Sequence, residues 1–185
     1  MKSEAKFSAQ KLVTVGVFAA LLAILSQISI PMPSGIPVTL QTFAVALCAY
    51  VLGRKLGLLA MAVYLVLGAA GLPVFAGFSG GVGVFLNLTG GYLWGFLFMV
   101  VLCGLGAKSQ SRFLAISLGC AGLLTCHVCG TVQFALVSRM GILEAFALAS
   151  LPYLLKDLIS VALAYFLAQA ILSALKRARL FEGNL

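Results

Sequence analysis

Residues 12–53, 56–107, 113–138 and 158–175 contain no Asp, Glu, Lys or Arg, and these uncharged runs limit what the chain can become. Each reaches or approaches the roughly 20 apolar residues that cross a bilayer core. With 63% of its 185 residues hydrophobic and 9% charged, the chain lacks the polar side chains to cover a water-soluble domain. A cleavable signal peptide is an alternative for the apolar stretch after Lys2, Lys6 and Lys11. The run 12–30 is too long for it, and the sequence never turns polar enough afterwards for a secreted domain. A β-barrel needs strands that alternate apolar and lumen-facing polar positions, whereas these runs are apolar on every face. The expectation is an all-α, polytopic membrane protein forming a single integral-membrane domain over residues 1–185.

Cutting the runs at their turn signals predicts six transmembrane helices, at about 12–30, 38–52, 58–70, 89–107, 113–138 and 152–175. The second and third are short for a simple crossing. Loops rich in Lys and Arg stay in the cytoplasm. With both termini cytoplasmic, that side collects Lys2, Lys6, Lys11, Arg54, Lys55, Lys108, Arg112, Lys176, Arg177 and Arg179, and only Arg139 and Lys156 remain for the other. An odd number of crossings would scatter these charges. The expected location is the inner (cytoplasmic) membrane, and the net charge of +8 is accounted for by topology and membrane lipid headgroups without nucleic acid.

The five cysteines lie inside hydrophobic runs, without the loop positions of a disulfide framework. Cys126-His127-Val128-Cys129 puts two thiols on one helical face beside the single histidine. A structural zinc site wants four ligands and no second pair is in evidence, so a polar patch where helices touch is the favoured reading over a metal site.

Asp157, the single aspartate, falls at the expected outer end of the sixth helix among Leu154, Leu155, Leu158 and Ile159, with Lys156 beside it. A charge near a membrane helix costs about 2.5–3.5 kcal/mol at the helix centre, which marks it as functional; an interfacial pair that reaches to water is the alternative. The uncharged, glycine-bearing segment 72–88 falls at the same level and suits a pocket lid better than an exposed tether. A pocket there would offer Asp157 as acceptor, Asn87, Gln41 and Thr39 as neutral polar contacts, Tyr92 or Trp94 as an aromatic, and Arg139 or Lys156 as a cation. That set suits a small, partly apolar anion bearing N–H donors. Tyr92 and Trp94 are two apart on a helix, so at most one should touch the ligand. Gly16-x-x-x-Ala20, Ala19-x-x-x-Ala23 and Gly91-x-x-x-Gly95 allow close helix approach, either within the protein or to a partner.

Four motifs in order, Gln27 to Pro33 (QISIPMP), Pro37 to Thr42 (PVTLQT), Tyr64 to Phe75 (YLVLGAAGLPVF) and Thr89 to Phe96 (TGGYLWGF), make the chain similar to the BioY family. Its members are biotin-binding S components of energy-coupling factor transporters, and the likeness covers nearly the whole chain. The resemblance implies a six-helix S-component fold and a biotin pocket near the extracytoplasmic face. In complete systems it also implies a transmembrane T component and two ATPase subunits as partners; a solitary protein would work alone or as a homo-oligomer. Gly16, Ala19, Ala20 and Ala23 correspond to the residues that contact the T component, and Asp157 to the aspartate that meets the ureido ring. Phe75, Thr39, Gln41, Asn87 and Tyr92 fall in or beside the matching motifs. Two positions depart from the pattern: Asn87-Leu88 replace the usual Gly-Pro, and Ser160 stands where a lysine often follows the aspartate, with Lys156 before it instead.

The expected mechanism is capture of biotin from outside, the ureido N–H groups donating to Asp157 and the carboxylate pairing with Lys156 or Arg139. Biotin is then a transported substrate, with no cofactor and no metal. The chain has no G-x-x-x-x-G-K-[ST] loop, so uphill transport needs energising partners. The rivals are an S component for another small vitamin, a structural subunit, and an intramembrane enzyme using Cys126, His127 and Asp157. The last requires those groups to converge, whereas Asp157 is expected at the outer end of its helix and His127 midway along its own.

Overall fold

The computed structural model describes residues 9–178, so Lys2, Lys6 and Arg179 of the charge map lie outside the described residues. The elements are α1 (Ala9–Gln27), β1 (Ser29–Ile30), β2 (Val38–Thr39), α2 (Gln41–Ala69), α3 (Gly90–Gly106), α4 (Arg112–Ser138), α5 (Ile142–Ala149) and α6 (Leu151–Arg177). Two 3-10 turns, Ala76–Phe78 and Val82–Leu86, occupy the segment between α2 and α3. α1, α2, α4 and α6 are long and apolar enough to cross a bilayer, and α3 is a shorter apolar helix of 17 residues.

Three differences from the expected helices have local causes. α1 stops at Gln27 instead of running to residue 30, because Pro31 pushes the residue before it towards extended backbone. Ser29 and Ile30 instead pair antiparallel with Thr39 and Val38, a small ribbon in an otherwise helical molecule. The second and third expected helices form one element, α2, interrupted at Gly53, whose φ of 69° and ψ of −178° are open essentially to glycine alone. The chain folds back there. Gln41 Nε2 donates to Tyr64 Oη at 2.7 Å, although a straight helix would hold these residues about 34 Å apart. The third difference is α5, an eight-residue helix in a stretch with no expected helix. It packs on the end of α4 through Phe134, Ala135, Ala145 and Ala149.

A Cβ on Gly53 would meet open space, so Gly53→Ala changes only backbone strain. The expected cost is about 1–3 kcal/mol, read as a lower melting temperature of the purified protein in detergent. An unchanged melting curve would contradict the strained turn.

The first limb of α2 is the axis of the bundle. Every residue from Ala44 to Leu52 is at most 4% exposed, and α1, α3, α6 and the second limb pack around it. The outside is apolar too: Leu136 and Leu155 are 73% and 72% exposed. A surface of that kind is matched by hydrocarbon, and the protein is a multi-pass membrane protein.

In such a setting helices associate by close packing, which small residues permit. Gly91 and Gly95 do this for α3 against α4, where added Cβ atoms would sit 2.3 Å from the Cys129 carbonyl oxygen and 2.6 Å from Cys126 Cα. The Gly91-x-x-x-Gly95 motif is therefore an internal contact. On α1 the stripes divide: Ala19 is buried and Ala23 half-buried against the bundle, whereas Gly16 and Ala20 face outwards. The same packing fixes which charges share an end. Gly104 at the end of α3 lies against Arg54, and Gly106 against Ala115 at the start of α4, so Arg54, Lys55, Lys108 and Arg112 gather at one end of the bundle.

Candidate functional site

A cavity of about 640 Å³, its open mouth included, lies where six separated segments meet. The turn before β2 and the start of α2 contribute Thr39, Gln41 and Thr42, the segment after α2 contributes Phe75 and Ser79, and α3 contributes Tyr92 and Phe96. α4 supplies His127, and α6 supplies Tyr153, Lys156 and Asp157.

Two glutamines fix the segment that covers the cavity. Gln27, at the end of α1, donates through Nε2 to the carbonyls of Pro73 at 3.3 Å and Phe75 at 3.2 Å, and its Oε1 accepts from Phe78 N at 2.9 Å. Gln133 on α4 donates to the carbonyls of Phe85 and Asn87, both at 2.8 Å. Non-helical backbone thus finds its hydrogen bonds inside the protein, as a membrane setting demands. Phe75 is buried beneath this cover, edge-on to both Tyr64 and Phe85 at centroid distances of 5.3 and 5.6 Å.

The charged floor belongs to α4 and α6. Asp157 is 5% exposed. Its Oδ1 lies 2.5 Å from Lys156 Nζ and its Oδ2 lies 3.3 Å from His127 Nε2. Oδ1 is buried, and the Lys156 ammonium is its close ionic partner. Lys156 also donates to the Thr39 carbonyl at 2.8 Å, tying α6 to β2. Behind His127, Nδ1 meets Ser150 Oγ at 3.0 Å, and Ser150 contacts Thr131 Oγ1 at 2.7 Å and Tyr92 Oη at 3.1 Å. Tyr92 donates to the Ala149 carbonyl. The arrangement offers a fixed carboxylate, a half-exposed ammonium and aromatic walls, which can seat an anion with N–H donors.

Of the residues singled out from sequence, Asp157, Lys156, Thr39, Gln41, Phe75 and Tyr92 line the cavity together. Asn87 and Arg139 stand outside that lining. Asn87 is exposed and turns its Oδ1 back to Thr89 N and Oγ1 at 3.0 and 2.9 Å, setting the turn before α3. Arg139 is exposed at the left-handed C-cap of α4. Trp94 faces outwards, 47% exposed and tilted against Phe85, while Tyr92 turns inwards.

His127 corrects the sequence-based placement: it meets Asp157 instead of lying at a different level. The cause is α5, whose end brings Ser150, the residue that leads into α6, beside His127 midway along α4. Cys126 points elsewhere, donating to the Tyr92 carbonyl at 3.5 Å. Among the described residues no three His, Cys, Asp or Glu side chains group as metal ligands. Gln27, Gln133, Tyr153 and Ser150 also escaped the sequence reading of the site. Gln27 alone had a signal, as the first residue of a family-like motif.

The sequence matches the BioY family over residues 1–177. It is 40% identical to the biotin transporter BioY of Thermotoga maritima over 160 residues, 86% of this chain and 94% of that one. It is 38% identical to the probable biotin transporter BioY of Pyrococcus horikoshii over 161 residues, 87% of this chain and 95% of that one. The fold resembles a crystal structure of the S-component for biotin from an ECF-type ABC transporter, with a TM-score of 0.80 and 25% sequence identity. The match covers 94% of this chain and 93% of that one.

Proposed function

Because the chain belongs to the BioY family, we propose that it is a biotin-capturing S component, a transport subunit and not an enzyme, that takes up its ligand through this cavity. The observation that carries the reading is Asp157, a buried carboxylate at the cavity wall, ion-paired there with Lys156 and beside His127. A ligand that brings N–H donors for the carboxylate and an anion for the ammonium can take over both halves of that pair. The ureido N–H groups of biotin donate to Asp157. The fused rings lie against Phe75, Tyr92 and Phe96, and the carboxylate pairs with Lys156, which lines the cavity where Arg139 does not.

Six crossings account best for the architecture: α1, the two limbs of α2, α3, α4 and α6, with α5 a short inserted helix. The gathering of Arg54, Lys55, Lys108 and Arg112 at one end supports placing that end and both termini in the cytoplasm, with the cavity mouth on the outer side of the inner membrane. A T component and two ATPase subunits would energise uptake, docking on the outward stripe of Gly16 and Ala20; a homo-oligomer is the arrangement if the protein works alone. Ala19 and Ala23 serve internal packing in this reading.

Equilibrium binding of labelled biotin to the purified protein tests the assignment. Saturable binding displaced by unlabelled biotin, and not by an excess of other water-soluble vitamins, is the expected result. Displacement by another vitamin at lower concentration than by biotin would transfer the assignment to that ligand.

A further inference from the structure

A carboxylate that is to receive a ligand in one orientation must be kept from rotating and from pairing with the wrong donor. Asp157 has two chemically equivalent oxygens, and the protein treats them differently. Oδ2 faces His127 Nε2 at 3.3 Å, while Oδ1 pairs with Lys156 Nζ at 2.5 Å. His127 is 5% exposed and sits on α4, a different helix from Asp157, so its contact fixes the carboxylate from across the bundle. The ring is itself held. Its Nδ1 meets Ser150 Oγ, and its face lies edge-on to Tyr92 at a centroid distance of 5.8 Å and an interplanar angle of 89°.

Hydrogen counting then assigns the ring. A carboxylate only accepts, so the proton on Nε2 points to Asp157. In the neutral ring Nδ1 is consequently the acceptor, and the Ser150 hydroxyl donates to it. Ser150 Oγ in turn accepts from Thr131 Oγ1, 2.7 Å away. With the Ser150 proton on Nδ1 and not on the His127 carbonyl 3.4 Å away, the chain Thr131 to Ser150 to His127 to Asp157 runs in one direction and ends on Oδ2, which is how hydrogen-bonded partners fix the tautomer and tilt of a histidine.

We infer that His127 is the positioning residue for the ligand contact at Asp157, holding Oδ2 so that Oδ1, the oxygen paired with Lys156, is the one that passes from the ammonium to a ligand N–H. The inference rests on the biotin reading above and adds to it a residue that acts through Asp157 and not on the ligand. His127→Gln places an amide N–H where Nε2 stands, whereas His127→Leu removes the donor. Ser150→Ala leaves the ring in place but removes the hydroxyl that sets its tautomer.

The protein contains a single histidine, so selective 15N-histidine labelling reports one ring alone. In the wild type, saturation with biotin should shift the Nε2 signal as the hydrogen bonding of the neighbouring carboxylate changes. His127→Leu should weaken biotin binding by about tenfold or more, the size expected for loss of a hydrogen bond to a charged group. His127→Gln should recover affinity to within about threefold of wild type, a rescue that a mere packing role would not give. Ser150→Ala should fall between the two. Wild-type protein that fails to bind biotin sinks the biotin reading and this inference with it. Wild-type binding with ring signals that do not move on saturation overturns the positioning role alone, as does a folded His127→Leu of unchanged affinity. Should His127→Leu not fold, Ser150→Ala and the wild-type spectrum decide: unchanged affinity in the first or unmoved signals in the second reject the role.

Discussion

Asp157→Asn is expected to lower biotin affinity by about a hundredfold or more while the protein still folds. The substitution keeps the shape of the side chain but replaces one of its two acceptor oxygens with an NH₂ that presents donors to a donor. Hydrogen bonds to a charged partner are worth about 1.5–3 kcal/mol each, and about 2.7 kcal/mol corresponds to a hundredfold in Kd. Folding should survive, because His127, Lys156 and the Ser150 network remain as packing around an isosteric group. Titration of labelled biotin beside a melting curve in detergent separates the two effects. Unchanged affinity in a well-folded variant would reject Asp157 as the ureido contact.

The second large effect is structural. Gly91→Val should destabilise the protein by about 3 kcal/mol, towards the upper end of over-packing penalties, because even its Cβ would stand 2.3 Å from the Cys129 carbonyl oxygen on α4. The obstacle is backbone, which cannot step aside as a side chain would. α3 must move away from α4, taking Tyr92 and Phe96 out of the cavity wall, so biotin binding should fall as well. Gly16→Val is the matched control: a Cβ there meets nothing within 4 Å, and the isolated subunit should melt at its wild-type temperature. Size-exclusion chromatography and thermal melting of both variants check the contrast. Equal stability for the two would contradict the assignment of Gly91 to an internal contact.

Much of this architecture is legible because a bilayer simplifies the code. Uncharged runs mark α1, α4 and α6 to within a few residues, and Gly53-Arg54-Lys55 marks the turn in α2, since only a glycine tolerates that backbone and only a helix end tolerates those charges. Depth is harder to read. Counting residues along α4 and α6 places His127 and Asp157 at different levels, because the count assumes that the chain between them stays outside the bundle. Ile142–Ala149 is apolar and short, indistinguishable by composition from a loop at the interface, yet its small residues Ala145 and Ala149 let it lie along α4 and deliver α6 to the site. The two glutamine clamps were illegible for another reason. Gln27 and Gln133 donate to backbone carbonyls 46 to 48 residues away, and a backbone acceptor leaves no trace in sequence. Lys156, Asp157 and Tyr92 were legible because their polarity is out of place among apolar neighbours.

Lys156 gives the cavity its own counterion. With its ammonium spanning the Thr39 carbonyl and Asp157 Oδ1, the protein shelters a carboxylate in a low-dielectric interior without leaving a bare negative charge. In the binding mode proposed above, an incoming molecule evicts that ammonium from the aspartate, which is favourable only if it brings an anion to receive the cation and N–H groups to replace it. Discrimination is then written into an exchange of partners: a compound carrying the ring system without the acid, or the acid without the ring, would complete half of the trade and leave one buried charge stranded.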